Sequence, residues 1–160
     1  MHRLIVAVAI AAAFVASPLA AQTAPPPYGL GIGLDAAKKA LAAAEAEAKK
    51  NSWPVAIAIV DSSAKLVVFS KMDNTQHASV DIAIGKAVTA NNLKRPTKAL
   101  QDGIAQGGVN LRLLAVKGLT PLEGGVPIVV DGKIIGAIGV SGVLSNQDAE
   151  VAMAGAAAAK

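Results

Sequence analysis

The stretch VPIVVDGKIIGAIGVS, Val126 to Ser141, decides the fold class. Two runs rich in β-branched residues flank Asp131-Gly132, a dipeptide that accepts the positive φ angles of a two-residue hairpin turn. The segment therefore reads as an antiparallel hairpin. Gly136, Gly139 and Gly142 recur along or just past its second strand. Glycine weakens a strand, so its repetition marks close approach by a helix, another subunit or a flat ligand.

Working outward toward the C-terminus, Ser145-Asn146-Gln147-Asp148 has the Ser-x-x-Asp spacing of a helix cap and opens an alanine-rich helix. Upstream, Val55 to Val60 (VAIAIV) and Lys65 to Met72 (KLVVFSKM) form a second hairpin around Asp61 to Ala64. Both faces of the first of these runs are apolar, as in a strand covered on each side. Leu34, Ala37, Leu41, Ala44 and Ala48 keep helical spacing, with Asp35 in the first turn, Lys49 and Lys50 in the last, and Asn51 as the stop. A second helix is predicted from His77 to Leu93, with Val80, Ile84, Ala87 and Val88 as its apolar stripe and Asn74 or Thr75 as its cap. Pro96 opens a short third helix that Gly107-Gly108 ends. Leu111 to Val116 reads as a further strand. Hairpin-linked strands with helices between them imply an α+β domain built on an antiparallel sheet.

The N-terminus has a separate logic. Met1-His2-Arg3 precedes the thirteen apolar residues Leu4 to Ala16, then Ser17-Pro18 and the small residues Ala20-Ala21. This is the order of a secretory signal peptide, and the run falls short of the ~20 residues a membrane span needs. The expected organisation is a signal peptide over residues 1–21, a Pro/Gly-rich lead-in over 22–33 that is extended and mobile, and one domain over 34–160. The expected location is periplasmic or secreted, with no membrane attachment after cleavage. The chain has no cysteine. Disulfides, thiolate catalysis, Cys-ligated zinc and lipid-modified cysteine anchors are thereby excluded. The lysines are scattered among acidic residues, without the basic stripe of a nucleic-acid binder.

His77 is the sole histidine of the mature chain, which rules out two-His metal sites. In the first turn of a helix the dipole favours a neutral imidazole, the form that ligates a metal; a solvated surface histidine is the other reading. Glu123-Gly124-Gly125 either lets a ligand approach the backbone or simply makes a positive-φ turn. Lys86, Lys94, Arg95 and Lys98 are either solvated or, in pairs beside an apolar slot, suited to a dicarboxylate. No nucleophile–base pair is visible, so no catalytic residue is assigned and enzymatic activity stays open.

Three stretches carry a family resemblance: WPVAIAIVD (Trp53 to Asp61), DNTQHASVDIAIGKAVTANNLKRPTKALQD (Asp73 to Asp102) and PLEGGVPIVVDGKIIGAIGVSGVLSNQDAEVAMAG (Pro121 to Gly155). Together they resemble the GlcG/HbpS family of haem-binding proteins from Leu34 to the end. The resemblance implies a profilin-like or PAS-like fold with a five-stranded antiparallel sheet flanked by helices, assembly into homo-oligomers, and haem as cofactor, to be bound, sensed or degraded. With one mature histidine, bis-His ligation within a subunit is impossible. The axial ligand would be His77, a methionine such as Met72, or a hydroxyl oxygen. His77 is placed at the metal, with Lys86, Lys94 or Arg95 for the propionates and Glu123, Gly124 and Gly125 at the pocket. The competing function is a small-molecule-binding accessory subunit of a partner enzyme, using the same glycine-lined pocket without iron.

Overall fold

Alternation along two central strands builds the two faces of the molecule. The computed structural model describes residues 24–160, so the signal-peptide segment lies outside the described residues. In β1 (Ala56–Asp61), Ile57 and Ile59 point to one side of the sheet while Ala56, Ala58 and Val60 point to the other. In β4 (Lys133–Ser141), Ile138 and Val140 join the isoleucine side and Ala137 the alanine side. This two-residue period is what a strand buried on both faces requires.

The sheet has the order β2-β1-β4-β3, entirely antiparallel, with β2 (Leu66–Lys71) and β3 (Gly125–Val130) at its edges. Two helices, α1 (Leu34–Lys50) and α4 (Ser145–Ala158), cover the isoleucine face. α2 (Ser79–Asn92) covers the alanine face. Small residues set the spacing on both sides. On α2, Ala83, Ala87 and Ala90 are fully buried, and Gly139 of β4 lets the helix come so close that a Cβ would collide with the Ala83 carbonyl and the Ala87 nitrogen. Between the outer helices, Ala40 and Ala44 of α1 face Gly155 of α4, where a Cβ would lie 2.9 Å from the Ala40 oxygen. Fully burying one isoleucine of the opposite face contributes about 1.5–3 kcal/mol.

The structure corrects several expectations. The sheet has four strands rather than five. In place of the expected strand Leu111 to Val116, the chain forms a 3₁₀ helix over Gly108–Ala115, which Val116 follows. Gly107 and Gly108, at φ 72° and 60°, turn the chain into it, and Leu111, Arg112, Leu113, Leu114 and Ala115 lack the β-branching that favours a strand. The apolar stripe assigned to α2 is only half-buried at Val80, Ile84 and Val88, because the sheet takes the smaller residues Ala83, Ala87 and Ala90. The helix begins at Ser79 without a side-chain cap, after Asn74, Thr75 and His77.

The lead-in is extended, but it is tied down. Ile134 N–H donates to the Pro27 carbonyl at 2.9 Å, Gly29 N–H to Ile134 at 2.8 Å and Ile32 N–H to Ile135 at 2.7 Å. Tyr28 Oη donates to the Asn91 carbonyl, and Ile32 is buried. The Asp131-Gly132 hairpin is as expected, with φ of 48° and 71° at the two turn residues. α3 (Lys98–Gln106) follows Thr97 and ends at Gly107.

Candidate functional site

The residues singled out by sequence fall into separate places around α2. His77 sits in a turn two residues before the helix and is exposed. No hydrogen bond or ion pair engages its imidazole among the described residues. The preceding turn is braced: Thr75 Oγ1 donates to the Met72 carbonyl at 2.7 Å and Gln76 Nε2 to the Gly142 carbonyl at 3.0 Å. Gly142 in turn lies against Pro54, whose carbonyl a Cβ would strike.

Lys94 and Arg95 lie beyond the other end of α2. A helix of 14 residues at 1.5 Å per residue puts about 20 Å between the two ends. His77 and the pair Lys94 and Arg95 therefore stand at opposite ends of α2. Lys94 Nζ instead stands 4.1 Å from the centre of the Tyr28 ring. Arg95 is exposed and donates to the Leu93 carbonyl.

Lys86 is the clearest departure from the solvated or ligand-facing cation expected. Its side chain is 2% exposed, and Nζ lies 2.8 Å from Asp148 Oδ2 and 2.8 Å from the Val140 carbonyl it donates to. Asp148 also accepts the Val143 N–H through Oδ1. Burial pushes the Asp148 carboxyl above its ordinary range, and the Lys86 hydrogen bond and charge pull against that shift. Asp148 therefore does more than open a helix. The cap itself comes from Gln147, whose Oε1 accepts the Leu144 N–H.

Glu123, Gly124 and Gly125 lie directly over this ion pair. Gly124 has φ 124°, and a Cβ there would come 2.8 Å from Lys86 Nζ. At Gly125 a Cβ would collide with the Lys86 carbonyl. The glycines are thus required by chain packing. Two of the three amides are taken within the chain: Gly125 N–H donates to Thr97 Oγ1 and Glu123 N–H to Gln101 Oε1. The Glu123 carboxylate faces Lys98 at 3.8 Å.

A small apolar slot of about 230 Å³ opens between Gly124, Gly125, Val126, Ala149 and Met153, with Lys98 at its edge. A larger open groove of about 530 Å³ runs between the C-terminal part of α1 and the end of β2. Trp53, Pro54 and Met72 supply its apolar surface, and its charged lining sets Lys49 and Lys71 against Glu45 and Asp73, with Ser52, Ser70 and Asn74 between. Ser70 Oγ donates to Glu45 Oε1, and Lys49 lies 3.5 Å from Glu45 Oε2. Lys71 makes no ion pair among the described residues. Ligand pockets usually occupy roughly 300–1,000 Å³, which the groove meets and the slot does not. Sequence reasoning missed the groove, because its walls come from residues 45–54 and 70–74, which show no common motif. Among the described residues no three acidic or imidazole side chains gather as a metal-ligand set.

Comparison with known proteins places this architecture. The family model described as haem degrading protein HbpS-like matches residues 32–157. Protein GlcG of Escherichia coli (strain K12) is 44% identical over 101 residues, covering 63% of this chain and 74% of that protein. A double mutant of Streptomyces reticuli HbpS superposes with TM-score 0.74 at 34% identity, over 92% of this chain and 97% of that one. A structure described as a PduOC:haem complex also gives TM-score 0.74, at 27% identity over 81% and 95% of the two chains.

Proposed function

This chain belongs to the haem degrading protein HbpS-like family, and from that premise we propose that it is an exported haem-binding module, working as a homo-oligomer with His77 at the iron. The observation that carries the haem reading is the family match over residues 32–157, seconded by the likeness to a chain solved as a haem complex. The donor set fits as far as one subunit goes. His77 offers an imidazole that no neighbour engages, on a turn braced against the wall of the larger groove through Gln76, Gly142 and Pro54. Bound haem would supply the iron and any redox chemistry; the protein's part is to hold and orient it.

Export is supported by the signal-peptide pattern of residues 1–21. Oligomerisation is supported by the segment after α3, where Val109, Leu111, Leu114 and Val116 are exposed and the 3₁₀ helix buries no residue. Contiguous exposed aliphatic surface of this kind marks protein–protein contact. One observation favours a second reading, a haem-free accessory module: the apolar slot beside Gly124 and Met153 is sized for a small ligand only.

Titration of haemin into mature protein and into His77→Ala, followed at the Soret band, tests the proposal. The expected result is a shifted Soret band in the wild type and weakened, spectrally altered binding in the variant. Identical spectra and affinities would remove His77 from the site, and no shift in either protein would favour the slot ligand instead. Loss of the haem spectrum upon adding a reductant or peroxide separates breakdown from storage. Mass spectrometry of the native protein checks cleavage after residue 20 or 21, and light scattering checks the oligomer.

A further inference from the structure

We propose that the apolar slot beside Gly125 and Met153 binds a small organic cation, a short alkylammonium whose charge meets the Glu123 carboxylate and whose chain lies among Pro96, Val126, Ala149 and Met153. Such a site is independent of haem, and it gives the slot a ligand class.

Burial and partners single out Glu123. Its side chain is only 13% exposed, yet its nearest cation, Lys98 Nζ, stands 3.8 Å away, beyond hydrogen-bond length. Among the described residues Glu123 enters the hydrogen-bond network through its backbone N–H alone, donated to Gln101 Oε1. Lys98 is committed elsewhere, donating to Asp102 at 3.1 Å across one turn of α3. One ammonium between two carboxylates leaves the mouth of the slot with surplus negative charge. A mostly buried carboxylate without a donor is costly. Lys86 cannot help, because Asp148 neutralises it behind Gly124. A ligand ammonium supplies what is missing, a positive charge carrying N–H donors. The same surplus charge repels an anion.

Size and lining set the rest of the ligand. At about 230 Å³ the slot falls below the range of drug-sized pockets, and its walls are a proline, a valine, an alanine and a thioether. Apolar cavities stay dry and accept small apolar groups. The walls are also fixed in advance. Thr97, between Pro96 and Lys98, donates its N–H to the Gly125 carbonyl at 3.0 Å and accepts the Gly125 N–H at 2.9 Å. Ala149 follows Asp148, which Lys86 locks in place.

The test is titration of mature protein with butylammonium, butanol and butyrate, read as NMR shifts of the Gly124, Gly125 and Val126 amides. Butylammonium should bind most tightly, butanol more weakly and butyrate not at all. Two single-charge variants should then respond in opposite directions, with circular dichroism checking that each is folded. Glu123→Gln should weaken butylammonium binding about tenfold or more, as for a lost hydrogen bond to a charged group. Lys98→Met removes the competing cation and should strengthen it. Butyrate binding as tightly as butylammonium, or unchanged butylammonium affinity in Glu123→Gln, would overturn the cation site. Absence of shifts with every probe would also overturn it, and dilution-dependent shifts at the same amides would then give the slot to a side chain of a second copy. None of these outcomes alters the haemin titration, so the haem reading stands or falls separately.

Discussion

Lys86 Nζ and Asp148 Oδ2 lie 2.8 Å apart with both side chains almost completely buried, at 2% and 3% exposure. The pair joins the middle of α2 to the start of α4 across the ends of β3 and β4, and Gly124 closes over it. Breaking a buried pair from one side leaves an uncompensated charge, which costs about 3–5 kcal/mol. Asp148→Ala should therefore unfold at markedly lower denaturant concentration. Replacing both partners, as Lys86→Met with Asp148→Leu, should be near neutral or stabilising. Urea unfolding of the two variants checks the contrast, and equal losses in both would contradict it.

The same pair gives a pH dependence. Burial raises the Asp148 carboxyl above its ordinary 3.8, with Lys86 opposing. The folded state then binds the proton more tightly than the unfolded state. The contribution is fully present below the ordinary carboxylate range and is lost as pH rises through the folded value. Wild-type stability relative to the Lys86→Met/Asp148→Leu variant should accordingly fall as pH is raised from about 4, the reference carboxylate value. A rising difference over that interval would reverse the assigned direction.

Gly139 sets the distance between α2 and the sheet. Gly139→Ala inserts a methyl group against the backbone at Ala83 and Ala87, which cannot swing aside as a side chain could. Overpacking of this kind costs about 1–3 kcal/mol. Gly103 of α3 provides the control, since a Cβ there meets nothing nearer than 3.8 Å. Thermal melts should show a large drop for Gly139→Ala and none for Gly103→Ala.

Two helices end in the same left-handed turn without glycine. At α1, Ser52 (φ 58°) donates to Lys49 and Trp53 to Ala48; at α2, Lys94 (φ 53°) donates to Asn91 and Arg95 to Ala90. This is the Schellman pattern, in which glycine is the unstrained residue. Ser52→Gly should stabilise the protein by about 0.5 kcal/mol after the added unfolded-state entropy is counted. Lys94→Gly should be close to neutral, because it also removes the ammonium from the Tyr28 ring, an interaction of about 0.5–1 kcal/mol. Equal stabilisation by both would show that the Lys94–Tyr28 contact contributes nothing.

By itself the sequence determined whatever is encoded in neighbouring residues. Asp131-Gly132 between β-branched runs is enough for the β3–β4 hairpin, because the turn's positive φ angles are a local demand. The apolar period of β1 is enough to make it a strand covered on both faces, and the spacing from Leu34 to Ala48 is enough for α1. The three-stretch family resemblance was legible for the same reason, since it rests on ordered local motifs. What only the tertiary structure decided are relations between residues far apart in the chain. Leu111 to Val116 is as apolar as a strand, but the fold sets this segment against α3, outside the four-stranded sheet, and without a strand partner it closes its own bonds as a 3₁₀ helix. Lys86 looks like any helix-surface lysine until the fold brings Asp148, 62 residues away, against it. Likewise, His77 and Lys94 look like neighbours in a motif, but the rigid rise of α2 holds them at opposite ends of the helix, while Lys49 and Lys71 meet at one groove because α1 packs on β2.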